Sequence, residues 1–148
     1  MPPAGTRPAD AWWVLYDAGC GLCVWLLAGL LAWDRDERLR PGAIEGAEGR
    51  RLLADLDPQE RLSAWHLVAP DGTRSSGGAA LAPLLRLLPG GAPAAAVAAL
   101  SPGLSGRGYR WVADHRGRLS RLVPAGAKRR AGLAVARAEA GPRSGLRR

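Results

Sequence analysis

The chain has 148 residues, 47% of them apolar and 23% charged, which suits one domain with its own core and excludes wholesale disorder. Two cysteines exclude a disulfide-stapled secreted scaffold and a four-cysteine zinc ribbon. The formal charge of +8 is uneven, because residues 125–148 carry +6 and the rest only +2.

Lys128 is the only lysine beside 20 arginines, and with so much Ala, Gly and Pro this resembles a coding bias more than a selected binding surface. Residues 124–148 are therefore expected to be a basic, solvated, disordered tail. Contact of that tail with nucleic acid or an anionic membrane is the less favoured reading.

Residues 1–10 form a Pro-rich, flexible lead without the apolar core of a secretory signal, so the expected compartment is the cytoplasm. Trp12-Trp13-Val14-Leu15-Tyr16 has no polar break and reads as a buried strand. A glycine-punctuated turn, Asp17-Ala18-Gly19-Cys20-Gly21, leads into an apolar helix over 22–33. The apolar stretch over 21–33, 13 residues, is shorter than the ~20 that cross a bilayer. A short strand over 39–43 follows, weakened by Pro41, and then an amphipathic helix over 47–56. Asp57-Pro58-Gln59-Glu60 has the residues of a capping box, with Pro at the first helical position.

Residues 63–69 read as a strand, and Pro70-Asp71-Gly72 turns the chain into a pairing strand over 73–76. Helices are expected over 79–88, 92–100 and 109–115, and beyond Pro124 the pattern dissolves. No internal repeat is present. A β-α-β half followed by a β-β-α half is the thioredoxin-like plan. The expected fold is thus α/β and three-layered, with a small central mixed sheet of about four strands flanked by helices over residues 11–123.

Cys20-Gly21-Leu22-Cys23 is a CxxC placed where the first helix starts. A thiol there lies beside unpaired backbone N–H groups that favour its thiolate, and in such motifs the pKa falls from about 8.5 into a range of roughly 3.5–7.5. Cys20 would attack or be oxidised, Cys23 would resolve the intermediate by closing the ring, and Gly21 would keep the approach to Cys20 open. Two other readings stand beside this one. A zinc site would need two further ligands, such as His66 and His115, and the thiols could equally be inert.

The segment Leu15-Tyr16-Asp17-Ala18-Gly19-Cys20-Gly21-Leu22-Cys23 resembles the signature of the DCC family of thiol-disulfide oxidoreductases, whose Asp, Cys and Cys are matched by Asp17, Cys20 and Cys23. Further likeness lies in Trp33-Asp34, Arg38-Leu39-Arg40, Leu67-Val68-Ala69-Pro70-Asp71-Gly72 and Tyr109-Arg110-Trp111-Val112-Ala113. The resemblance spans about residues 12–122. It implies a thioredoxin-like domain that exchanges dithiol for disulfide on a protein or small-molecule thiol, with no cofactor and no metal. The alternative is a redox-inactive binding module of the same fold, with structural thiols and a tail for electrostatic contacts.

Asp17 has two readings: a buried carboxylate with a raised pKa would take the proton of Cys23, and an exposed one would cap the helix or fix the loop. No proline directly precedes the strand that faces the motif, so Ser63 or Trp65 is expected to line that wall. His66 alternates with its neighbours and is expected to be a packing or surface histidine rather than an acid or base, and His115 is expected to be solvated. Trp12, Trp13, Trp25, Trp33 and Trp111 are expected in the core.

Overall fold

The structure, a computed structural model, describes residues 10–141. The lead up to residue 9 and the last seven residues of the basic end lie outside the described residues.

Strand β1 (Trp12–Tyr16) is central in a four-stranded sheet of order β2-β1-β3-β4, with β2 at Leu39–Ala43, β3 at His66–Val68 and β4 at Arg74–Ser76. β1 and β2 run parallel, Trp12 opposite Leu39 and Tyr16 opposite Ala43. A parallel pair needs a crossover, and helix α1 (Gly21–Trp33) supplies it. β3 is antiparallel to β1 and β4 to β3, which completes the expected mixed sheet. Pro41 is tolerated because β2 is an edge strand. The strand expected over 63–69 is shorter than its apolar run, as only three residues pair.

The alternation of β1 divides the core in two. Val14 and Tyr16 pack with Leu27, Leu84 and Val135 on one face, whereas Leu15 packs with Ile44, Leu53 and Val68 on the other. The second face is covered through helices α2 (Ala47–Leu52) and α3 (Pro58–Ser63). Asp57 caps α3 as its sequence predicts: its carboxylate accepts from the Glu60 N–H at 2.8 Å, and the Asp57 N–H donates to Glu60 at 3.2 Å.

A 3-10 turn (Gly77–Ala80) opens α4 (Leu81–Leu87), followed by α5 (Ala92–Leu100) and α6 (Pro102–Leu122). α6 is 21 residues long, far more than the expected 109–115. The basic end is corrected too. Instead of a disordered tail, residues Ala125–Glu139 form helix α7, which lies along α1 and reaches β2. Ala131 and Val135, four residues apart, give it a narrow buried stripe.

Three tryptophans expected in the core are also corrected. Trp25, Trp33 and Trp111 are 42%, 39% and 56% exposed. Trp33 donates its indole N–H to the Pro89 carbonyl at 2.8 Å, and Trp111 stacks on His115 with centroids 4.5 Å apart. A tryptophan carries a polar N–H and a large ring, and in Trp33 the N–H and in Trp111 the ring find a partner without full burial.

Candidate active site

β1 delivers the chain to a tight turn in which the Cys20 N–H donates to the Asp17 carbonyl at 3.2 Å. α1 starts at once, with Cys20 as its N-cap. The Cys20 sulfur takes the place of the usual oxygen cap and accepts from the Cys23 N–H at 3.3 Å. Cys23 lies one turn further along α1, and the two are joined as a disulfide with Cα atoms 5.2 Å apart.

Asp17 is held by two contacts. Its Oδ1 accepts from the Gly19 N–H at 2.9 Å, and its Oδ2 lies 3.7 Å from the Arg116 guanidinium of α6. It is only partly buried, with 24% of its side chain exposed. The cap of α1 is therefore sulfur, and the Asp17 carboxylate braces the turn that leads to it.

Gly21 does not leave an open approach. A Cβ there would lie 3.1 Å from Ser120 Oγ and 3.3 Å from Lys128 Cδ, so α6 and α7 close over that side of the motif. The start of α1 is thus bordered by two cations, Arg116 and Lys128, and by one carboxylate, Asp17. Of these, Arg116 is paired with Asp17, and the Lys128 side chain reaches Gly21.

Two tyrosines frame the site. Tyr16 donates its hydroxyl to Glu139 at 2.7 Å. Burial, reinforced by that hydrogen bond and the carboxylate's charge, drives its pKa far above the ordinary phenol value. Tyr109 accepts from the Trp65 N–H at 3.0 Å and stacks on the Trp65 ring at 6.5 Å. Burial raises its pKa as well, so both phenols are neutral at pH 7. Ser63 and Trp65 line the same cleft as Cys23, which is the wall expected of them.

His66 is elsewhere. It pairs with Leu15 across the sheet and so faces α3, whereas the dithiol lies on the face of Val14 and Tyr16. Its Nε2 is 3.0 Å from the Arg61 carbonyl and its Nδ1 2.6 Å from Ser76 Oγ. A carbonyl only accepts, so Nε2 carries the proton and Ser76 donates to Nδ1. Burial pushes the imidazole pKa down and keeps it neutral. His115, on α6, is tied to its own helix, with Nδ1 2.8 Å from the Trp111 carbonyl.

Sequence reasoning singled out Cys20, Cys23 and Asp17 and missed Arg116, Ser120 and Lys128. A signal existed for two of these. Tyr109, Ala113, Arg116 and Ser120 recur at helical spacing and so share one face of α6. Among the described residues no three His, Cys, Asp or Glu side chains cluster as a metal site requires.

A model of the DCC1-like thiol-disulfide oxidoreductase family matches residues 14–122. Neither the curated proteins nor the solved structures include a match to this chain.

Proposed function

Because the chain belongs to the DCC1-like thiol-disulfide oxidoreductase family, we propose that it performs dithiol–disulfide exchange through Cys20 and Cys23. The observation that carries this reading is the position of Cys20, with its sulfur as the N-cap acceptor of α1 and Cys23 one turn away and bonded to it.

In the reduced protein, the Cys20 thiolate attacks one sulfur of a substrate disulfide. The substrate S–S bond breaks, and the departing thiolate takes a proton from water. Cys23 then loses its proton and attacks the Cys20 sulfur, closing the Cys20–Cys23 bond and expelling the second substrate thiol. Two electrons pass from the protein dithiol to the substrate. A second dithiol restores the starting state by the same steps in reverse.

In this reading Asp17 is the proton acceptor for Cys23, supported by the place of both residues on one cleft. Its charge would oppose a thiolate at Cys20, and Arg116 offsets that charge. The partners are protein or small-molecule thiols and disulfides, and the setting is the cytoplasm.

The test is alkylation of the native reduced protein against pH, read by mass spectrometry, beside a glutathione redox titration. Cys20 should react with a pKa well below 8.5, and the pair should close and reopen reversibly. Cys23→Ser should trap the mixed disulfide, and Asp17→Asn should slow ring closure more than the first attack. Two thiols that alkylate slowly and never pair would overturn this reading in favour of a binding module with structural thiols.

A further inference from the structure

Between α1 and α6 lies an open cleft of about 570 Å³, within the size range of small-molecule sites. Its floor is hydrocarbon from the sheet and α4, chiefly Val14 and Leu84, each 1% exposed. Its walls are Leu26 and Leu30 of α1 against Val112 of α6. Cys23, Asp17 and Arg116 line it together, and Tyr16, Ser63, Ser105 and Tyr109 are its other polar residues. The cleft is therefore a mainly hydrocarbon slot that reaches Cys23 of the disulfide.

Its mouth is kept wide by two glycines inside helices, Gly29 on α1 and Gly108 on α6. Both line the cleft, and a Cβ on either would meet no atom within 4 Å. Glycine inside a helix costs about 1 kcal/mol relative to alanine, and packing does not demand it at either position. Leu26, a large apolar side chain at the same cleft, is left 46% exposed.

We infer that the cleft binds the apolar chain of the substrate, which is a thiol or disulfide bearing an unbranched hydrocarbon tail. The inference rests on the exchange reaction proposed above. The sulfur of the substrate meets Cys20–Cys23 at the polar end, and the tail lies along α1 between the sheet and α6. The chemistry of the walls favours this occupant. Asp17 and Arg116 stand beside Cys23 for the sulfur-bearing end, and the rest of the lining, hydrocarbon apart from Tyr16, Ser63, Ser105 and Tyr109, rewards burial of methylenes.

Alkyl 2-pyridyl disulfides with methyl, butyl and octyl chains test it on the reduced protein. Cys20 attacks the alkyl-bearing sulfur, pyridine-2-thione leaves and is read by its absorbance, and Cys23 closes the ring and releases the alkyl thiol. The second-order rate should rise with chain length, by up to about fourfold per methylene that enters the cleft. N-acetylcysteine supplies the intrinsic reactivity of each reagent. In Gly29→Leu and Gly108→Leu the rise from methyl to octyl should flatten, with the methyl reagent as each variant's own reference.

A rate independent of chain length, with the methyl reagent closing the pair normally, would overturn the inference and leave the exchange reaction standing. An undiminished rise in both leucine variants would place the chain elsewhere and overturn it too. Failure of the methyl reagent to close Cys20–Cys23 would overturn the exchange reaction itself, and the inference with it.

Discussion

The two faces of the sheet are built from the same strand and both bury apolar side chains, but only one of them borders an open cleft. On the face of α2 and α3, Leu15, Ile44 and Leu53 are at most 2% exposed, and His66 is held through both ring nitrogens. On the face of α1, the same strand contributes Val14 and Tyr16 to the floor of an open cleft that ends at Cys23. One face is closed by its helices, while the other leaves an open cleft beside the disulfide.

Substitutions sharpen this contrast. The largest effect is expected for Leu15→Ala, which should lower stability by roughly 2–5 kcal/mol in chemical denaturation. Leu26→Ala, on a half-exposed side chain at the cleft, should cost well under about 1 kcal/mol. Equal losses at the two positions would show the faces to be packed alike. Next come the glycines. A Cβ on Gly49 of α2 would overlap the carbonyl oxygens of Ala43 and Ile44, so Gly49→Ala should destabilise by about 1–3 kcal/mol. Gly29→Ala, with open space around it, should raise stability by up to about 1 kcal/mol. The opposite signs are the point of the pair, and a melting curve for each reads them directly.

The smallest effect is on pH dependence. Burial holds the His66 pKa below its ordinary 6.5, so below that pH the unfolded chain binds a proton that the native state resists. Its contribution to stability is complete above pH 6.5 and is lost as the pH falls toward the depressed value. Urea titrations from pH 7.5 to 5 should show that decline, and His66→Gln should remove its share. A contribution that grew as the pH fell would mean that the imidazole is charged in the native state.

The first half of the molecule was written legibly in its sequence. The unbroken run at β1, the CxxC at a helix start and the Asp57–Glu60 capping box each follow from local rules, and each lies where those rules put it. The second half follows from packing and was harder to read. Four glycines in α6, at positions 103, 106, 108 and 117, lower its helix propensity and hide its length. The apolar stripe of α7 is little more than Ala131 and Val135 among arginines and glycines, a composition that resembles a solvated tail. The same illegibility concealed the neighbours of Cys20, because Ser120 and Lys128 come to Gly21 from these two helices.

The hydrogen bond from Tyr16 to Glu139 spans 123 residues, from the central strand to the last turn of α7. The segment recognisable as the family ends at residue 122, so this bond joins a shared part of the fold to a stretch beyond it. A chain cut at Leu122 would keep every residue by which its kinship is known. It would also strip the cover from one flank of α1 and leave the Tyr16 hydroxyl without its carboxylate. In this protein the stretch that matches the family is shorter than the packed structure, and the difference is one helix that rests against α1.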